Sequence, residues 1–215
     1  MKIALIGATG FVGKAVLVEL LARGHAVSAI TSRPERVPPA PGLTAVRGDA
    51  YDAASIAQAV AGHDAVVSTF NPGWDKADIR ALFVRGHQGI VAGVKAAGVP
   101  RFLEVGGAGS LYVAPGLQLI DTPDFPAVYK EGAEGARQAL NLLREERELD
   151  WVFLSPPALL KPGPRTGRYQ VGADQLLMAG AAPASISDQD LAAAIVDELE
   201  QPRHHRQRFT VASAA

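Results

Sequence analysis

Three glycines, Gly7, Gly10 and Gly13, recur at three-residue intervals in the stretch Lys2-Ile3-Ala4-Leu5-Ile6-Gly7-Ala8-Thr9-Gly10-Phe11-Val12-Gly13. A short apolar run ends at the first glycine, and an amphipathic pattern begins around the last. Strand, tight turn and helix in that order can hold a pyrophosphate. Gly7 lets the chain turn sharply off the strand. Gly10 lacks a Cβ, so a pyrophosphate can approach the backbone. Gly13 lets the first helical turn pack closely on the sheet. Free N–H groups at the helix start, aided by the helix dipole, then face the phosphates. The spacing is not that of the commoner Gly-x-Gly-x-x-Gly fingerprint, but its chemistry is similar. Gly7, Thr9, Gly10, Phe11, Val12 and Gly13 are therefore expected to border a dinucleotide.

The end of the next strand separates the two nicotinamide dinucleotides. An acidic residue there would hydrogen-bond the ribose hydroxyls of NAD. This chain has Thr31-Ser32-Arg33-Pro34-Glu35-Arg36 instead. Arg33 lies about twenty residues past Gly13, where the selector belongs. A guanidinium pairs bidentately with a 2′-phosphate, and Ser32 adds a hydroxyl donor, with Glu35 nearby as a competing partner. NADP(H) is expected in preference to NAD(H). Asp49 follows the third strand; its carboxylate either accepts from the adenine amino group or caps the helix that begins near Asp52. Ser68, Thr69 and Phe70 end the fourth strand beside the first and are expected to border the same cofactor.

These residues need elements to place them. Strands are predicted at Ala26–Thr31, Leu43–Arg47, Asp64–Thr69, Val99–Val105, Asp150–Leu154, Arg168–Val171 and Arg208–Val211. Helices are predicted from Phe11 to the cap at Gly24, and over Asp52–Ala61, Lys76–Ala97, Pro126–Glu148 and Leu191–Glu200. The row Gly86, Gly89 and Gly93 predicts close packing of the long helix on the sheet or on another helix. Leu111–Phe125 reads as an irregular, proline-bearing loop of the kind that borders an active site. The alternation predicts an α/β fold: a doubly wound, mostly parallel sheet with helices on both faces and ligand along the carboxyl ends of the strands. A single domain, 1–215, is expected, with a dinucleotide-binding core at 1–154 and a small C-terminal lobe at 155–215 on the substrate side.

The totals set limits. The chain of 215 residues is 48% hydrophobic, enough for a sizeable core, and its net charge of −1 makes no case for nucleic acid or an anionic membrane surface. It has no cysteine, which excludes disulfides and thiolate catalysis. No apolar run is long enough to span a bilayer, so a cytoplasmic protein is expected, as monomer or homodimer with a small-molecule acceptor. The histidines show no metal-ligand spacing.

The later segments carry a family resemblance. Beyond the glycines these are Gly48-Asp49, Val105-Gly106-Gly107-Ala108-Gly109-Ser110-Leu111, Leu149-Asp150-Trp151-Val152-Phe153-Leu154-Ser155-Pro156, Pro162-Gly163-Pro164-Arg165-Thr166-Gly167-Arg168-Tyr169 and Ile186-Ser187-Asp188-Gln189-Asp190-Leu191-Ala192. On them the chain resembles an atypical short-chain dehydrogenase/reductase. Within that superfamily it is similar to the group provisionally named NADH-flavin reductases, related to biliverdin reductase B and NmrA-like proteins. The resemblance implies a Rossmann fold and hydride transfer from NAD(P)H to a flavin, FMN or FAD, or to another planar acceptor.

The chain departs from the superfamily where proton transfer is done. Typical members have a serine just after the fifth strand and, on the next helix, a tyrosine with a lysine four positions later. Here the serine position falls on Gly106 or Gly107. Tyr129 is followed four residues later by Ala133, and the adjacent Lys130 does not share its helix face. The usual tyrosine–lysine relay is expected to be absent. Ser110, Tyr129 and Lys130 are the candidates for catalysis, with Tyr112 and Ser155 in the acceptor pocket and Trp74 as a ring that could stack on a flavin. The alternatives are an NADP(H)-sensing regulator of NmrA type and an epimerase or dehydratase.

Overall fold

A computed structural model of the chain describes residues 1–214. Strands and helices alternate through the first half: β1 Lys2–Ile6, α1 Phe11–Ala22, β2 Ala26–Thr31, β3 Leu43–Arg47, α2 Ala53–Val60, β4 Ala65–Ser68, α3 Ile79–Ala96 and β5 Arg101–Val105. A small hairpin follows, β6 Tyr112–Ala114 and β7 Leu117–Gln118, then α4 Ala127–Glu145 and β8 Asp150–Ser155. The remainder holds β9 Leu159–Lys161, β10 Tyr169–Gly172, β11 Met178–Ala179, β12 Ala182–Pro183, β13 Ser185–Ser187, α5 Asp188–Glu200 and β14 Gln207–Ser213.

Eight strands form one sheet in the order β10-β14-β8-β5-β4-β1-β2-β3. Every pairing in it is parallel except β10 with β14. The central strands β4 and β5 are buried along their whole length because helices cover both faces. Ile3 and Leu5 point to one side, packing with Val16 and Leu20 of α1 and with Leu191 and Ile195 of α5. Ala4 and Ile6 point to the other, into a core with Ile56, Phe83, Ile90, Phe102, Leu140 and Phe153 from α2, α3, α4 and their strands. The glycine row on α3 serves helix packing: Gly89 faces the Ala50 carbonyl and Gly93 faces Ile56 and Ala53.

Several expectations shift. The loop predicted over Leu111–Phe125 contains the β6–β7 hairpin and a single 3₁₀ turn, Leu119–Asp121. Helix α3 begins at Ile79 rather than Lys76, because Lys76 and Ile79 donate to Gly73 and Lys76 carbonyls in successive turns. The segment after Ser155 is divided. Its two longest strands extend the main sheet, and the short pairs β9–β13 and β11–β12 stand off it. Helix α5 starts three residues before the predicted Leu191, with Ser187 accepting from the Asp190 N–H as its N-cap.

That earlier start frees the Asp190 carboxylate for the neighbouring loop. One oxygen accepts from the backbone N–H groups of Thr166 and Gly167, both at 2.7 Å, and the other accepts from the Thr166 hydroxyl at 2.6 Å. Asp190 is only 1% exposed. Burial alone would raise its pKa, but these donors hold it below the usual carboxylate range. The stability this provides is present above the ordinary aspartate pKa and is lost as pH falls through the lowered one. Asp190→Ala should lose about 2–4 kcal/mol in urea unfolding at neutral pH. It should also show a shallower further loss than the parent as pH is lowered below about 4.

Candidate functional site

Helix α1 starts directly against the turn that leaves β1. Gly7 has φ +84°, a conformation open to glycine, and a methyl there would lie 2.7 Å from the Thr69 carbonyl and hydroxyl oxygens. A methyl at Gly13 would lie 2.0 Å from the Gly7 carbonyl oxygen. Gly10 is the helix N-cap, with its N–H on the Gly7 carbonyl at 2.9 Å. No side chain caps α1, and its first turn has no acid. The N–H groups that open α1 therefore have no side-chain partner and begin at exposed Phe11, beside exposed Thr9, an arrangement suited to a diphosphate. Lys14 is exposed next to them.

The ends of β4 and β1 are tied together here. Thr69 donates both its N–H and its hydroxyl to the Ile6 carbonyl, each at 2.9 Å. The hydroxyl is thus committed to the turn. Ser68 is fully buried, level with Ile6. Phe70 is partly buried, covering Gly86 and meeting Tyr51 edge-on at 5.8 Å and Phe83 at 6.1 Å. The Arg85 guanidinium lies 4.3 Å from the Tyr51 ring centre.

At the other end of the crevice, Ser32 and Arg33 are exposed past β2. Arg33 has no acidic partner among the described residues. Glu35 lies 3.8 Å from Arg47, and Arg47 donates to the Ser32 carbonyl at 2.7 Å. Arg47 ends β3 opposite Thr31, so a second guanidinium stands at Ser32, the residue before Arg33. Its position next to β2 in a doubly wound sheet was the signal that could have nominated it. Asp49 does not cap α2; Asp52 does, accepting from Ala54 and Ser55 N–H groups at 2.9 and 3.3 Å. Asp49 instead accepts from the Tyr51 N–H at 2.9 Å and remains exposed.

The three catalytic candidates are not brought together. Ser110 is 2% exposed, and its hydroxyl and carbonyl both accept from buried Arg208, at 3.0 and 2.9 Å. Arg208 is completed by Asp174, and burial lowers its pKa. Ser110 thus anchors a buried guanidinium and presents no hydroxyl to a substrate. Tyr129 and Lys130 lie exposed on the first turn of α4, and Ala133 is buried. The Tyr129 ring meets Trp74 edge-on at 5.3 Å. Tyr112 is partly buried on the small hairpin, and the Ser155 hydroxyl is buried without a partner.

The histidines are held by acids or backbone. His87 Nδ1 donates to the Glu104 carboxylate, 2.8 Å away with both side chains buried; burial opposes protonation, but the carboxylate raises the His87 pKa overall. A surface concavity of about 390 Å³ between α3 and α4 is lined by His87, Val91, Lys95 and Leu142, and none of the predicted cofactor residues borders it.

A parallel sheet that reverses strand order between β1 and β4, with an uncapped helix start and a glycine turn at the reversal, is a Rossmann-type nucleotide-binding fold. The chain belongs to the NAD(P)H-binding family, which it matches over residues 7–202. It is 38% identical to the uncharacterized protein YwnB of Bacillus subtilis, with both chains covered in full. A provisionally named epimerase from Bacteroides thetaiotaomicron superposes with TM-score 0.91 at 43% identity, covering 100% of this chain and 97% of that one. A provisionally named NADH-flavin reductase from Streptococcus pneumoniae superposes with TM-score 0.87 at 32% identity, covering both chains in full. These likenesses agree with the atypical short-chain dehydrogenase/reductase resemblance and with an oxidoreductase-like role built on NAD(P)H. Among the described residues no helix is long and apolar enough to cross a membrane.

The glycine turn makes a direct test. Gly13→Ala should force α1 away from Gly7, lowering stability by on the order of 3 kcal/mol. Thermal unfolding should show the loss, and calorimetric titration should show nicotinamide dinucleotide affinity falling with it.

Proposed function

We propose that this chain is an NADPH-dependent reductase that delivers hydride to a flavin or a similar planar acceptor. One observation carries the reading: the chain has a close-packed glycine turn at the start of α1, while on α4 Tyr129 is followed, four residues later, by buried Ala133. A carbonyl reduction or an epimerisation needs an acid or base at the reacting oxygen. A flavin does not. It takes two electrons and a proton as hydride, and its second proton comes from water. When bound, NADPH supplies that hydride; the protein supplies orientation and exclusion.

In this reading the turn Gly7–Gly13 and the first N–H groups of α1 hold the diphosphate. Arg33 and Arg47 hold the 2′-phosphate, joined by the Ser32 hydroxyl. Asp49, with one carboxylate oxygen on the Tyr51 N–H, keeps the other for the adenine amino group. The name borne by the Streptococcus relative supports the acceptor class, and the epimerase name borne by the Bacteroides relative is disfavoured by the missing lysine.

Purified protein mixed with NADPH and FMN in air should oxidise NADPH faster than FMN alone, followed at the nicotinamide absorbance band. Tight NADPH binding with a rate no higher than the protein-free control would sink the reductase reading and favour an NADP(H)-sensing regulator. Nucleotide choice is tested separately. Arg33→Ala and Arg47→Ala should each weaken NADPH binding about 10- to 100-fold while leaving NADH within a few-fold. Equal losses for both nucleotides would refute the assignment.

A further inference from the structure

The chain has two tryptophans, and they have opposite surroundings. Trp151 is 2% exposed in the core, whereas Trp74 is 57% exposed. Burying an aromatic ring is favourable, so a large ring held at the surface invites explanation. Trp74 is held. A methyl at Gly132 would lie 2.5 Å from Trp74 Cζ3 and 3.1 Å from Cη2, so the indole sits in a notch that exists because residue 132 has no side chain. Tyr129, one turn earlier on α4, braces it edge-on with the ring planes 79° apart. The loop carrying Trp74 is itself pinned, as Gly73 donates its N–H to Asn71 Oδ1 at 2.8 Å.

The location gives this arrangement its meaning. The Trp74 loop leaves β4 immediately after Thr69, which is fastened to the glycine turn. Helix α4 follows β5, the strand next to β4. Trp74 and Tyr129 therefore stand at the carboxyl ends of β4 and β5, on the opposite side of the switch point from Arg33 and Arg47. That is the end of the crevice where a cofactor with its 2′-phosphate on the two arginines would place its nicotinamide. Val128 beside them is also exposed.

We propose that Trp74 is the stacking wall of the acceptor site, with Gly132 as its seat and Tyr129 as its brace. The proposal rests on the reductase reading and deepens it: the preferred acceptors are flat, fused-ring molecules, and small aliphatic carbonyl compounds are poor ones. Trp74 and Tyr129 are positioning residues here. The Tyr129 hydroxyl transfers no proton.

Three variants test this, each assayed by turnover with NADPH and FMN and by equilibrium dialysis of FMN with NADP⁺ present. Trp74→Ala should raise the FMN KM and the dialysis Kd about tenfold or more, with the NADPH Kd unchanged. Trp74→Phe, which keeps a ring, should recover most of the loss. Gly132→Ala retains every aromatic side chain and improves helix propensity, yet its methyl displaces the indole. It should reproduce the Trp74→Ala defect, with altered near-ultraviolet circular dichroism and an unchanged far-ultraviolet spectrum. If the parent protein reduces FMN while Trp74→Ala and Gly132→Ala stay within about twofold of it in KM and Kd, the stacking wall is refuted and the reductase reading stands. If the parent neither binds nor reduces FMN, the reductase reading falls, and the acceptor subsite with it.

Discussion

The working edge of this molecule depends on one close contact: the start of α1 lies against the carbonyl of Gly7, and Thr69 closes over both. No side chain fits at either glycine. The contact sets how near the helix comes to the sheet, and so where its unpaired N–H groups point. It also fastens β4 to β1, because Thr69 gives both its donors to the Ile6 carbonyl. The loop that carries Trp74 begins at that fastening. The glycine turn and the loop that carries Trp74 are thus positioned by the same few atoms.

Charge is spent differently across the fold. The net charge of −1 conceals a local arrangement of guanidiniums. Arg165 and Arg23 converge on Glu19, joining the β9–β10 connection to α1, and the acidic partners raise both guanidinium pKa values, for Arg23 against the opposing effect of burial. Arg208 is buried against Asp174 and Ser110. Arg165 on Glu19 and Arg208 on Ser110 join the chain after Ser155 to the core, and removing Asp174 would leave the buried Arg208 charge without its partner. Arg33 and Arg47 are exposed at the strand ends instead, where an anionic ligand can reach them.

Much of this was legible from residue order. The boundaries of β2 and β3 were read to the residue, because apolar runs bounded by glycine and proline leave little choice. The sheet class followed from strand–helix alternation, and the tight glycine turn from three glycines in a strand-to-helix context. The misplaced helix starts share a cause. At α3 and α5, residues with helical propensity lie ahead of the periodic apolar pattern, and local hydrogen bonds decide where the first turn closes. The small strand pairs were missed because two or three residues are too few to show a period.

Ser110 and Asp49 show where linear reading stopped. Both have side chains that could bind or catalyse, and sequence position alone suited each to a site. Ser110 is occupied by Arg208, 98 residues away in the chain, and Asp49 leaves the cap of α2 to Asp52. The sequence by itself determined the fold class, the glycine turn and the absence of a lysine four residues after Tyr129, since each is written in neighbouring residues and short-range stereochemistry. Only the tertiary structure decided which polar groups are already satisfied, that Arg47 reaches the Ser32 carbonyl, and that Gly132 holds Trp74 at the surface. Those facts depend on pairs of residues that meet only once the sheet has assembled.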